Sequence, residues 1–141
     1  MSDFRLAIVT PEETVFDETV TSIIVPGTKG YLGVLAHHAP LISPLVPGKI
    51  TIYLPGGTEL MLAVSGGFVE VANNQATILA DAAELADRID RERALASLER
   101  ARQRLTEQPR NEGLDLDRAW SAFRRAKNRV RIADSVLVER H

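Results

Sequence analysis

The hydrophobic pattern of the chain changes period once, near residue 86, and nothing else in the sequence limits its possible folds as much. Before that point come short runs rich in Val and Ile that end at Pro, Gly or Asn: "DFRLAIVTP", "VTSIIVPG", "KITIYLPGG", "ELMLAVSGG", "FVEVANN" and "QATILAD". Turn signals separate them at Pro26-Gly27, Pro47-Gly48, Pro55-Gly56-Gly57, Gly66-Gly67 and Asn73-Asn74. Short strands at even spacing predict an antiparallel sandwich or barrel rather than βαβ units. Pro55-Gly56-Gly57, between two such runs, reads as a hairpin turn. After Leu85 the spacing is helical. Ala94, Leu98, Ala101 and Leu105 form one stripe, and Leu116, Ala119, Trp120, Phe123, Ala126, Val130, Ala133 and Leu137 form another. Polar "TEQPRNEG", with Pro109 and Gly113, lies between them. Asp90 and Asp115 are placed to cap the two helices.

The expected fold is therefore α+β: an antiparallel β-sandwich or barrel over residues 1–86, followed by an antiparallel two-helix hairpin over residues 87–141. A lone hairpin buries little apolar surface, so it must dock on something or be marginal. A marginal element can hold two positions.

Charge divides at the same place. Residues 1–86 carry three basic and nine acidic side chains, whereas residues 87–141 carry fourteen basic and ten acidic, which points to two parts with different partners. The composition, 45% hydrophobic and 26% charged, is that of folded soluble domains and not of a disordered chain. No apolar run approaches the roughly 20 residues of a membrane span, and "MSDFRLAIVTPEE" has no secretion-signal pattern. The absence of cysteine excludes disulfides, thiolate metal sites and a Cys nucleophile.

Most conventional site signals fail. His37 and His38 are adjacent, so on a strand they would point to opposite faces, and no HxH or HxxxH spacing supports a metal; loop structure or a partner contact is the favoured reading. Gly27, Gly30 and Gly33 in "GTKGYLG" match no phosphate loop and read as turn glycines. Ser65 in "AVSGGF" is not a nucleophile elbow. The arginines carry more information. At about 100° per residue, Arg118, Arg125 and Arg129 fall within an arc of roughly 40°, and Arg93, Arg100 and Arg104 cluster in the same way on the first helix. From Arg118 to Arg131 there are six basic residues and no acidic one. Such a face is a solvated surface, an anion site shared by two helices, or a basic surface for an acidic partner.

At "GYLGVLAHHAPLISPLVPGKI" the chain resembles the epsilon subunit of bacterial F-type ATP synthases. Gly30, Leu32, Gly33, Val34, Leu35, His38, Pro40, Leu41, Pro47 and Gly48 fill the family pattern in order, and "VSGGFVEV" and "TILADAAE" match two further blocks. The resemblance implies a non-catalytic subunit of the central rotor stalk that contacts the gamma subunit and the c-ring, helps couple proton flow to rotation, and belongs to the F1 complex at the cytoplasmic face of the plasma membrane. It also implies a hairpin that lies folded or extends along gamma toward the alpha and beta subunits, where it inhibits ATP hydrolysis. Some family members bind ATP in the folded form through [IL]-D-x-x-R-A and later arginines. Ile89, Asp90, Arg93 and Ala94 fill that motif, Glu84 matches an acidic position upstream, and Arg100, Arg125 and Arg129 match the later arginines. The resemblance thus implies ATP as a regulatory ligand, with Asp90 either accepting from the adenine amino group or only capping the helix. Tyr31 and His38 are the expected partner contacts, while Arg91 and Glu92, the motif's variable positions, read as solvated.

Three alternatives stand beside this reading. One is the same subunit without ATP sensing. Another is a sandwich adaptor whose basic hairpin grips nucleic acid, which steeply salt-dependent DNA binding would reveal. The third, a small hydrolase, lacks a nucleophile–base pair.

Overall fold

A computed structural model describes residues 2–107 and 116–139. The chain separates into two compact units, Met1–Ala86 and Asp87–His141, and each is taken by itself below.

The first unit is built from ten strands: β1 Phe4–Val9, β2 Thr14–Val20, β3 Ser22–Gly27, β4 Gly30–Leu35, β5 Leu41–Leu45, β6 Gly48–Tyr53, β7 Glu59–Val64, β8 Gly67–Ala72, β9 Gln75–Ala80 and β10 Ala83–Leu85. They form one continuous sheet in the order β10-β7-β6-β3-β5-β8-β9-β1-β2, with β4 on β3. The sheet wraps on itself through β3. Ser22–Ile24 of that strand pair with β6, while its last residue, Gly27, pairs with Leu45 of β5. Alternation sets the faces: in β1, Phe4, Leu6 and Ile8 point inward while Arg5 is exposed. The core fills with β-branched and leucine side chains, among them Leu6, Ile8, Val20, Ile23, Val25, Ile50, Ile52, Leu62, Val69 and Ile78, all without solvent exposure. Each such side chain contributes about 1.5–3 kcal/mol on burial. On the outer surface the Arg5 guanidinium bonds Asp17 at 2.8 Å, and that bond raises its already high pKa.

The turns follow their chemistry. Gly56 and Gly57 take φ of 94° and 93° between β6 and β7, where the Leu54 N–H donates to the Thr58 carbonyl at 2.8 Å. Asn73 and Asn74, with φ of 53° and 58°, make the two-residue link of β8 and β9, since Asn tolerates the left-handed region better than most residues.

The expected sandwich followed by two helices is present, and two details of it are corrected. The sheet is not wholly antiparallel: β1 runs parallel to β9, from Arg5 beside Gln75 to Val9 beside Leu79. That pairing joins the first strand to the ninth, so the local turn signals carry no record of it. His37 and His38 lie in the turn after β4, in keeping with the loop reading, and His37 has φ of 63°. Of Gly27, Gly30 and Gly33, only Gly30 uses a positive φ, 121°.

The second unit holds two helices, α1 Arg91–Glu107 and α2 Leu116–Glu139, packed on each other. The link around Pro109 and Gly113 and the Asp115 cap lie outside the described residues. The helices run antiparallel, because Arg91 at the start of α1 meets Asp134 near the end of α2. Their seam is made of small residues: Ala94 and Ala101 on α1, and Ala119, Ala126 and Ala133 on α2, all buried. Alanine permits close helix approach and has high helix propensity, but it buries little area. Among the described residues the fully buried positions of the hairpin are mostly alanines, with Ile132 also buried and Leu98, Leu105, Phe123 and Val130 half-buried, so it buries less apolar area than the sandwich core. Trp120 remains nearly half exposed, edge-on to Phe123 at a centroid distance of 6.0 Å.

Candidate functional site

Asp90 begins the site. Its Oδ1 accepts from the Arg93 N–H at 3.1 Å and its carbonyl from the Ala94 N–H at 2.9 Å, which makes it the N-cap of α1. The cap uses one carboxylate oxygen and leaves Oδ2 available. Ile89 and Ala94 are buried, so the apolar positions of the motif pack while its polar ones face outward. Arg93 is exposed at the first turn of α1.

The arginines are sorted by helical phase. At about 100° per residue, Arg91 lies on one flank of the α1 alanine stripe, and Arg93, Arg100 and Arg104 on the other. On α2, Asp134 lies on one flank of Ala126 and Ala133, and Arg118, Arg125 and Arg129 on the other. The 2.6 Å bond between Arg91 Nε and Asp134 Oδ1 shows which flanks match. The Arg91 and Asp134 flanks share one face of the hairpin, so the two arginine flanks share the opposite face. Equal steps inward from that ion pair bring Arg100 level with Arg125, and Arg93 to within about a turn of Arg129.

On this face Arg93, Arg100 and Arg125 are exposed and Arg129 is half-buried. Arg100 donates to the Ser97 hydroxyl at 3.0 Å. Among the described residues the Arg93 and Arg125 side chains have no hydrogen-bond or salt-bridge partner. Guanidinium groups on one face of the hairpin, with a capping carboxylate at its end, form a donor set suited to a polyanion carrying an amino group. Glu84 belongs to the first unit, on β10, where it pairs with Ala63 in the sheet. Among the described residues no group of His, Asp or Glu could hold a metal ion.

The two expected partner contacts are at the surface of the sandwich. Tyr31, 59% exposed, is in the β3–β4 hairpin, and its hydroxyl accepts from the Lys49 N–H at 3.3 Å. The half-buried His38 ring bonds the Ala39 carbonyl through Nδ1 at 2.7 Å. A further surface emerges from the register. Pro44, Phe68, Leu79 and Val9 stand opposite one another across β5, β8, β9 and β1. Phe68 and Leu79 are each about half exposed, and Ile42, two residues before Pro44, is 72% exposed. An apolar row this wide marks a contact surface. Alternation along each strand hints at it, but the row itself depends on the pairing of distant strands.

A sandwich with an exposed apolar row, followed by an alanine-seamed hairpin with one arginine face, has the architecture of an assembly subunit in two parts. Comparison with known proteins agrees. Residues 3–86 match the family described as ATP synthase, Delta/Epsilon chain, beta-sandwich domain, and residues 87–134 match ATP synthase, Delta/Epsilon chain, long alpha-helix domain. The chain is 46% identical over 136 residues to the ATP synthase epsilon chain of Moorella thermoacetica, covering 96% of this chain and 100% of that one. It is 44% identical over 133 residues to the epsilon chain of Bacillus velezensis, covering 94% and 98%. The chain therefore belongs to the ATP synthase delta/epsilon chain family, as the motifs around Gly30–Ile50 indicate, and is a non-catalytic subunit of that assembly. Two solved structures share the fold. A chain of the Euglena gracilis mitochondrial ATP synthase aligns with a TM-score of 0.70 at 23% identity, covering 100% of this chain and 83% of that one. A chain of the Tetrahymena thermophila central stalk and c-ring aligns with a TM-score of 0.56 at 17% identity, covering 94% of each. Among the described residues no helix is long and apolar enough to cross a membrane.

Proposed function

We propose that the chain is a rotor-stalk subunit that helps couple proton translocation to ATP synthesis, and that its helical hairpin restrains ATP hydrolysis when extended and binds ATP when folded. The observation that carries the ATP reading is the shared face of Arg93, Arg100, Arg125 and Arg129, next to a capping carboxylate with one oxygen to spare. In this reading the arginines hold the phosphates by charge-assisted bonds, and Asp90 Oδ2 accepts from the adenine amino group. ATP favours the folded hairpin only through its higher affinity for that form.

The small apolar area that the hairpin buries supports the mobile part of the proposal, because an element that is marginal alone is suited to a switch. In the assembled enzyme the sandwich docks on the gamma subunit through the Pro44, Phe68, Leu79 and Val9 row. Tyr31 faces the c-ring, His38 lies at the edge of the docking surface, and the extended hairpin reaches the alpha and beta subunits. Only the complex ties the chain to the cytoplasmic face of the bacterial plasma membrane.

Deleting residues 87–141 tests the inhibitory role. ATP hydrolysis by the assembled complex is expected to rise severalfold while assembly persists, because the docking row belongs to the other unit. Unchanged hydrolysis in a correctly assembled truncated complex would remove the hairpin from regulation.

A further inference from the structure

Arg91 is the variable position of the motif, and by sequence alone it reads as solvated. It is instead tied to Asp134, 43 residues away, through a 2.6 Å Nε–Oδ1 bond, with the two side chains 47% and 46% exposed. The place of this pair matters. One end of the hairpin is joined covalently between α1 and α2, whereas the other end, where Arg91 opens α1 and Asp134 nears the end of α2, can separate first. Arg91 also sits where a positive charge is unfavourable, in the first turn of a helix, and the Asp134 carboxylate offsets it. On the opposite face Arg93, Arg100 and Arg125 add like charge to both helices, which favours separation.

We infer that the Arg91–Asp134 pair is a latch on the open end of the hairpin, setting how much ATP is needed to keep it folded. The inference rests on the proposed opening of the hairpin. Latch and ligand act on the same equilibrium from opposite faces. The ion pair forms only when the helices are together, and an anion among the arginines relieves repulsion only in that state. Removing either raises the demand on the other. The pair is half exposed, so its effect is modest and its geometry directional.

The chain has no cysteine, so Ala96→Cys with Lys127→Cys gives a unique pair of exposed spin-label sites, one on each helix. Distances between them in the full-length chain, measured across an ATP titration, report the folded fraction. Asp134→Asn is expected to raise the ATP concentration for half-folding by about two- to fivefold. The exchanged pair, Arg91→Asp with Asp134→Arg, should return it toward the parent value. Because the exchanged charges also suit the helix macrodipoles, far-ultraviolet circular dichroism of each variant separates a change in helix content from loss of the pair. An unchanged ATP requirement in Asp134→Asn, or an exchange no better than the single variants, overturns the latch. A parent distance that stays short with and without ATP is a different result. It overturns the opening of the hairpin itself, and the latch with it.

Discussion

Replacing Arg125 with alanine is expected to weaken ATP binding to the isolated chain by about 10- to 100-fold. The estimate follows from the loss of one or two hydrogen bonds to a charged ligand, about 1.5–3 kcal/mol in all, at 1.4 kcal/mol per tenfold. Arg125 is exposed, shares its face with Arg93, Arg100 and Arg129, and lies level with Arg100 across the seam. The informative control is its neighbour. Arg124 is equally exposed but points away from the alanine seam, roughly 100° from Arg125 around the helix. Arg124→Ala should change affinity by less than about twofold, which matches the small worth of a distant solvated charge. Equilibrium binding of a fluorescent ATP analogue to both variants checks the pair. Equal losses would mean that the chain senses net charge and has no defined site.

Gly67→Ala is expected to be the most damaging single methyl addition in the sandwich. Gly67 has φ of 137°, where residues with a Cβ are strained. A Cβ there would also run into the Leu79 carbonyl oxygen and come within 2.8 Å of the Ala80 Cα, both backbone atoms of the paired strand β9. Neither obstacle is a flexible side-chain tip, so β8 must move from β9 or the turn must reopen. A loss of about 3 kcal/mol or more is expected by urea unfolding. Gly33→Ala supplies the contrast, since Gly33 has open space around its missing Cβ and no positive φ. It should stay within about 0.5–1 kcal/mol of the parent. Similar losses at both positions would contradict the close approach of β8 to β9.

The two mutations also mark what the sequence makes legible. The turns at Pro55-Gly56-Gly57 and Asn73-Asn74 are local chemistry and can be read directly. Strand β2 is harder to read: only Phe16 and Val20 of "TVFDETV" are buried, because it is an edge strand with a solvated face. The parallel pairing of β1 with β9 and the apolar row through Pro44, Phe68, Leu79 and Val9 depend on long-range register that no local pattern encodes. At the candidate site, spacing alone groups the arginines within each helix. It does not show that the two groups share a face of the hairpin. That conclusion needs the Arg91–Asp134 contact, made by the residue the motif leaves unspecified.

The hairpin is also an electrostatic object. Salt screens the exposed arginines and the half-exposed Arg91–Asp134 pair alike, and it should weaken ATP binding.

The most direct measurement of the central claim is titration calorimetry of ATP into the isolated full-length chain, with and without Mg²⁺. Saturable heat that fits one site, and that Arg125→Ala greatly diminishes, is the predicted result. No heat from the intact chain, or heat that Arg93→Ala and Arg125→Ala both leave unaltered, would contradict an ATP site on the hairpin.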